Sequence, residues 1–348
     1  MFRLLFFIRS GKEFYIVMNI GILGAGTWGC ALAAMLVKSG HNVTVWSALE
    51  EEIIALSKSR KHKNLPDMDI PDSLNFTFDI KQACENKNII VFAVPSVFVR
   101  STAEAAKPFI KREQIIADVA KGIEPHTLYT MTEIIDDVLE RKVRLVALSG
   151  PTHAEEVSVG LPTTIVSSSK DTAAAKYVQN AFMNDNMRVY TNSDIMGVEL
   201  CGALKNIIAL ASGISSGLGN GDNATAAIIT RGMAEITRLG VSMGCNPGTF
   251  YGLAGIGDLI VTATSRHSRN NRAGRLIGEG LSPKEAKNAV GMVVEGINAL
   301  PAAMELSEKY HTEMPISAAV NDIIFNNADP YETMMDLMRR DQKIEDTF

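Results

Sequence analysis

Residues 19–46 read NIGILGAGTWGCALAAMLVKSGHNVTVW, and three glycines, Gly24, Gly26 and Gly29, separate an apolar run from an Ala/Leu-rich one. The spacing alone is weak, because 27 glycines in 348 residues produce roughly 0.16 such triplets by chance. The surroundings carry more. Residues 20–23 read as a short buried strand, residues 30–38 have helical composition with a stop at Gly40, and residues 42–46 read as a second strand. In such a unit the first glycine permits a tight turn and the second lets backbone approach a pyrophosphate. The third lets the helix pack on the strand. The helix N-terminus then offers free N–H groups and a positive dipole end to phosphates. Dinucleotide binding is the expectation; a glycine-rich turn without a ligand is the alternative.

The first half of the chain extends this pattern. Near-continuous apolar segments at 89–94 (IIVFAV), 114–119 (QIIADV), 145–148 and 163–167 (TTIVS) alternate with helical ones. That alternation predicts a parallel sheet covered on both faces. The turns at Gly24, Pro95, Lys121-Gly122 and Gly150-Pro151 then share the carboxyl edge, where such sheets bind ligands. From Asp194 onward strand signals fade, and residues 198–212 (VELCGALKNIIALAS), 224–239 and 282–289 read as helices. The predicted architecture is α/β: a Rossmann-type, doubly wound, mostly parallel sheet over residues 18–197, then an all-α substrate-binding domain over 198–348. Two domains are also the default for this length. Residues 1–17 (MFRLLFFIRSGKEFYIV) precede the first strand. Their apolar run at 4–8 is shorter than the roughly 7–15 residues of a signal-peptide core. They read as an extension that the fold does not require.

Composition narrows the partners. Apolar residues at 46% and charged residues at 21% describe an ordinary globular chain, and a net charge of −5 offers no attraction to nucleic acid or an anionic membrane. No uninterrupted apolar run reaches the roughly 18 residues of a membrane span. Cys30, Cys84, Cys201 and Cys245 are far apart with no C-x-x-C pair, which fits free thiols in a reducing cytoplasm. The six histidines have no metal-ligand spacing, so no metal is expected.

Four features need a chemical account. Lys205 lies inside the apolar GALKNIIALA, where a lysine either snorkels to solvent or sits in a dry cleft with a lowered pKa, usable as a proton acceptor. Asn206 follows it, and Gly202-Ala203 before it would let a ligand close. Lys121, in VAKGIE, stands where a strand should end; it is a solvated loop charge or a ligand. Asp258, in GLAGIGDLIVT, either caps a turn or enters a site. Arg266, Arg269, Arg272 and Arg275 recur every three residues, giving a solvated basic face or an anion site matched to phosphate.

These blocks together resemble the bacterial NAD(P)-dependent glycerol-3-phosphate dehydrogenases, from Met18 to about Thr333. The matching stretches are GAGTWGCALA (24–33), VPS (94–96), AKGIE (120–124), SGPTHAEEV (149–157), GALKNIIALASGI (202–214), TRGMAEITRLG (230–240), GLAGIGDLIVT (252–262), SRNNRAG (268–274) and VVEG (293–296). The resemblance implies a cytoplasmic homodimer that interconverts glycerol 3-phosphate and dihydroxyacetone phosphate and supplies phospholipid synthesis. It makes Lys205 the proton acceptor, with Lys121 and Asp258 beside it. It places Lys121, Gly150, Thr152, Lys205, Asp258, Ser268, Arg269 and Asn270 around a small phosphoester. Thr27, Trp28, Lys121, Ala154, Arg269, Val293 and Glu295 would touch the nicotinamide cofactor, with Gly24, Gly26 and Gly29 forming its turn. One departure stands out. Where NAD enzymes carry an acid for the ribose, this chain has Ser47-Ala48-Leu49, with Glu50 slightly late. The cations that could meet a 2′-phosphate are Lys58, Arg60 and Lys61, so NAD or NADP is left open. The alternatives are a 3-hydroxyacid dehydrogenase of similar architecture, taking a carboxylate, and a non-catalytic nicotinamide-binding sensor.

Overall fold

A computed structural model describes residues 7–10, 13–140, 143–342 and 344. Of the N-terminal extension, residues 1–6 and 11–12 lie outside the described residues. Strands β1 (Phe7–Ser10) and β2 (Glu13–Ile16) pair antiparallel as a separate two-stranded sheet.

Eight further strands form one sheet: β3 (Asn19–Leu23), β4 (Asn42–Trp46), β5 (Asn75–Thr77), β6 (Ile89–Phe92), β7 (Ile115–Asp118), β8 (Arg144–Ser149), β9 (Thr163–Ser168) and β10 (Met187–Asn192). Their order is β10-β9-β8-β7-β6-β3-β4-β5, parallel throughout except between β8 and β9. The expected mostly parallel sheet is thus present. Strands β6 and β7 are buried along their whole length, as continuous apolar segments between two helical layers should be. The sequence reading passed over β5 and β10 for physical reasons. Strand β5 is three residues long, and β10 (MRVYTN) is an edge strand with exposed Arg188 and Tyr190.

Strand β3 has β4 on one side and β6 on the other, so the chain direction of winding reverses there. The carboxyl ends of β3 and β6 open a crevice at that switch point, the place where doubly wound sheets bind ligands. Gly24 leaves β3 with φ +126°, and a Cβ there would lie 2.6 Å from the Ala93 carbonyl oxygen beyond β6. A Cβ on Gly29 would meet the Gly24 carbonyl oxygen at 2.1 Å, whereas one on Gly26 would meet nothing within 4 Å. Two glycines therefore permit close backbone packing, and the middle one faces open space.

The helical half is organised by Ile195–Gly217, longer than the expected 198–212, so the 197/198 boundary falls in its first turn. Asp194 caps it by accepting from the Gly197 N–H. By length and mean hydropathy (1.5) this helix could cross a membrane, although Lys205 and Glu199 interrupt its apolar run; 89% of that stretch is buried inside the protein instead. The helix Arg269–Gly278 lies directly against it. Cβ atoms on Gly213 and Gly274 would each fall 2.1 Å from a carbonyl oxygen of the facing helix, those of Asn271 and Leu210. Four apolar clusters result among the described residues. One lies around β3, β4 and the helix Thr27–Lys38, and a second, with Leu23, Phe92, Ile116 and Ile134, packs elsewhere on the sheet. A third surrounds the long helix and its neighbours, and a small fourth joins Ala147 and Val166 to Val198 and Ala254.

Candidate active site

Three ionised side chains from distant segments meet at the carboxyl edge of the sheet. Lys121 lies three residues beyond β7, Lys205 is on the long helix, and Asp258 opens the helix Asp258–Thr264. Lys121 Nζ donates to Asp258 Oδ2 at 2.6 Å and to the Gly150 carbonyl oxygen at 3.3 Å. Lys205 Nζ donates to Asp258 Oδ1 at 2.5 Å and to Thr262 Oγ1 at 2.5 Å. Asp258 and Lys205 side chains are only 2% and 5% exposed, so Lys205 does not snorkel to solvent. The approach depends on small residues. A Cβ on Gly202 would stand 3.1 Å from Ser149 Oγ and touch the Lys121 stem, and one on Gly255 would stand 2.0 Å from the Phe250 carbonyl oxygen. The tight glycine-rich turn Leu253–Gly257 thereby brings Asp258 under both ammonium groups.

Burial sets the electrostatics. It pushes the Lys205 ammonium down to about 7; Asp258 opposes this and the neighbouring Lys121 charge reinforces it. For Asp258, burial alone would raise the carboxyl, but the Lys121 and Lys205 charges outweigh it and hold the group below its ordinary value. The result is a lysine able to exchange a proton near neutrality beside a carboxylate that stays ionised.

These groups open onto a cleft of about 230 Å³ between the sheet edge and the helical half. From the sheet side Gly26, Thr27, Trp28, Lys121, Thr152 and Ala154 line it. From the helical side come Lys205, Asp258, Ser268, Arg269, Asn270, Val293 and Glu295. Gly24, Gly29 and Gly150 do not line it. The first two shape the turn behind it, and the Gly150 carbonyl holds Lys121 and also accepts from Thr152 Oγ1. Ser268 is the N-cap of the helix Arg269–Gly278, its hydroxyl accepting from the Asn271 N–H. Arg269 is exposed at the first position of that helix, and its guanidinium makes no hydrogen bond or ion pair with the described residues. Asn270 Nδ2 donates to Asn206 Oδ1 at 2.9 Å, and Asn270 Oδ1 accepts from the Gly296 N–H at 2.9 Å. This chain of amides locks the long helix to the start of the helix Glu295–Lys309. Glu295 in turn accepts from the Ser96 N–H and hydroxyl, bridging to the loop after β6.

Sequence reasoning missed several members. Thr262 lies four residues after Asp258 on the same helix face, a spacing that could have revealed it. His153 and His267 line the cleft from opposite walls with ring centroids 5.9 Å apart, and nothing local in the sequence announced that meeting. Glu199, buried on the long helix, accepts from Thr132 N–H at 2.8 Å, Thr130 Oγ1 at 2.9 Å and Thr132 Oγ1 at 2.5 Å. It fastens the helix that carries Lys205 to the far end of the loop that begins at Lys121. Burial pushes the Glu199 carboxyl up to about 7, against those hydrogen bonds.

The open face at Gly26 and the start of the helix Thr27–Lys38, which no side chain caps, fit the diphosphate of a dinucleotide. A larger depression of about 780 Å³ lies at the other end of that helix, lined by Lys38, His41 and Asn184 among others. Its charged groups, Lys38, Asp67, Asp69 and Asp185, are exposed, and Lys38 pairs with Asp69 at 3.8 Å. Those residues also hold no group of three His, Cys, Asp or Glu side chains placed for a metal ion.

Two family models cover most of the chain. Residues 19–175 match the N-terminus of NAD-dependent glycerol-3-phosphate dehydrogenase, and residues 194–335 match its C-terminus. A protein of Lactobacillus delbrueckii subsp. bulgaricus named glycerol-3-phosphate dehydrogenase (NAD(P)+) 2 is 64% identical, over 94% of this chain and 99% of its own length. A glycerol-3-phosphate dehydrogenase (NAD(P)+) of Agathobacter rectalis is 50% identical, over 94% and 97%. The crystal structure of glycerol-3-phosphate dehydrogenase from Coxiella burnetii superposes with a TM-score of 0.88 at 36% identity, over 93% of this chain and 99% of that one.

Proposed function

Because the chain belongs to the NAD-dependent glycerol-3-phosphate dehydrogenase family, we propose that its cleft converts dihydroxyacetone phosphate to sn-glycerol 3-phosphate and back. It is an NAD(P)-dependent oxidoreductase, and that membership decides against the hydroxyacid dehydrogenase and sensor readings. The observation that carries the assignment of roles is the convergence of Lys121 and Lys205 on buried Asp258, next to the glycine turn.

The nicotinamide, when bound, supplies or removes the hydride at the substrate carbon. The protein handles the proton and the charge. During oxidation Lys205, neutral, takes the hydroxyl proton; during reduction, protonated, it gives that proton to the carbonyl oxygen. Lys121 stabilises the negative charge developing on the same oxygen. Asp258 holds both ammonium groups in register and stays ionised. Arg269 turns its guanidinium fork to the substrate phosphate, with Asn270 and Ser268 flanking it. Thr152 completes the substrate side, and the Gly150 carbonyl acts from behind it by holding Lys121 and Thr152. Thr27, Trp28, Ala154, Val293 and Glu295 face the cofactor, beside Lys121 and Arg269.

Residues 18–197 would then serve the dinucleotide and 198–348 the substrate, in keeping with the separate apolar cores of the sheet and of the helical half. The four buried free thiols suit a reducing cytoplasm, and supply of glycerol phosphate for phospholipids follows from the product. A homodimer is inferred from the resemblance and is testable by light scattering. The deciding assay follows NADH and NADPH absorbance with dihydroxyacetone phosphate. Turnover that requires the phosphorylated ketone supports the assignment, and no turnover with either cofactor overturns it.

A further inference from the structure

The departure at the end of β4 has a structural answer. Neither Ala48 nor Leu49 carries a charge, but the Ser47 hydroxyl, just past β4, donates to Glu52 Oε2 at 2.7 Å and accepts from the Leu49 N–H. Glu52 is the third residue of the helix Glu50–Ser59, half-buried and aimed back at the strand end. Its charge is felt by two groups of the glycine turn's underside. These are the Cys30 thiol, which burial and then Glu52 push up to about 12 and whose Sγ donates to the Ala25 carbonyl oxygen, and the buried His62 ring. A carboxylate thus reaches the space between the glycine turn and the end of β4, from one turn into the following helix.

The cations that could have favoured a 2′-phosphate are elsewhere. Arg60 donates to the Leu74 carbonyl at 2.7 Å and to that of Pro71 at 3.4 Å, with its guanidinium 5.6 Å from the Phe76 ring centroid. Lys58 is in the last turn of the helix and Lys61 lies beyond it, about 9 Å or more along the axis from Glu52. His62 is buried, which favours its neutral form. The helix N-terminus itself, an attractive place for phosphate, carries Glu50, Glu51 and Glu52 in its first turn.

We propose that Glu52, braced by Ser47, is the ribose-binding acid of this chain and makes it selective for NAD(H) over NADP(H). The proposal rests on the dinucleotide reading of the cleft and names its preference. The carboxylate accepts from the ribose hydroxyls of NAD(H); a 2′-phosphate would set a second anion against it.

The test is fluorescence titration of the full chain with NADH and NADPH in the absence of substrate, with competition by ADP-ribose and its 2′-phosphate. NADH is expected to bind about 10-fold or more tighter than NADPH. Glu52→Gln should bring the two within about 3-fold, by weakening NADH and strengthening NADPH. Ser47→Ala, which keeps the charge but removes its brace, should weaken NADH by about 3-fold and spare NADPH; it decides the matter if Glu52→Gln does not fold. NADPH binding as tightly as NADH, or a preference that survives both substitutions, overturns the assignment of Glu52. If such binding comes with turnover of dihydroxyacetone phosphate, the dehydrogenase reading stands without it. If neither nucleotide binds, that reading falls as well.

Discussion

Gly24, Gly26 and Gly29 shape the turn on the sheet side of the cleft from backbone within six residues of chain. Beside it, Lys121 and Lys205 reach Asp258 across 137 and 53 residues. One side is a shape, made by the absence of side chains. The other is a balance of charges, made by burying Lys205 and Asp258 beside a half-buried Lys121. The difference teaches where each half is vulnerable. A shape fails by collision, and it fails locally. A charge balance fails when any partner is lost, because the remaining charges are already out of water.

The largest effect should come from the charge side. Lys205→Met is expected to lower turnover by about 10²–10⁴-fold while leaving cofactor affinity near normal. Turnover and nucleotide binding are measured separately, and near-normal turnover would remove Lys205 from the mechanism. The wild-type pH profile sharpens the same point. Since burial brings the Lys205 ammonium down to about 7, reduction of dihydroxyacetone phosphate, which needs the protonated form, should decline as pH rises through that value. Oxidation of glycerol 3-phosphate, which needs the neutral form, should rise through it. Profiles with the same slope in both directions contradict the proton role.

Next is Arg269, whose guanidinium is uncommitted among the described residues. Charge-assisted hydrogen bonds contribute about 1.5–3 kcal/mol each, so Arg269→Ala should reduce kcat/KM by roughly 10- to 150-fold. Unphosphorylated dihydroxyacetone should be far less affected. An equal loss for both substrates, after correction for any change in cofactor binding, rules out a phosphate contact.

On the backbone side, Gly26→Ala and Gly24→Ala should part company. A methyl at Gly26 meets nothing within 4 Å, so the fold should lose no more than about 1 kcal/mol of stability while dinucleotide affinity drops about 10-fold. At Gly24 the methyl would stand 2.6 Å from the Ala93 carbonyl oxygen at φ +126°, and strain of about 1–3 kcal/mol or more should lower Tm itself. If thermal melts show both variants equally destabilised, the division between packing glycines and a ligand-facing one is wrong.

The smallest effect is expected at the N-terminus. Among the described residues, strands β1 and β2 pair with each other in a sheet of their own, so a chain beginning at Met18 should match the full chain in kcat, KM and Tm. Loss of cofactor binding in the shortened chain would make the hairpin part of the working fold.

The sequence by itself determined the elements whose signals are local. The glycine turn, the continuous apolar strands β6 and β7 and the helical character after Asp194 were legible because hydrophobic period and turn chemistry act over a few residues. Motif blocks also located Lys121, Lys205, Asp258 and Arg269, and the structure brings all four to one cleft. Tertiary structure alone decided what those residues do to one another. Thr262 joins Lys205, Glu199 ties the long helix to Thr130 and Thr132, and the His153 and His267 rings meet at the cleft, tilted to one another. Whether Lys205 would snorkel or be buried also lay beyond the sequence. Its neighbours along the helix are apolar in either case, and only the glycine-permitted approach of Asp258 supplies the counter-charge that makes burial of an ammonium tolerable.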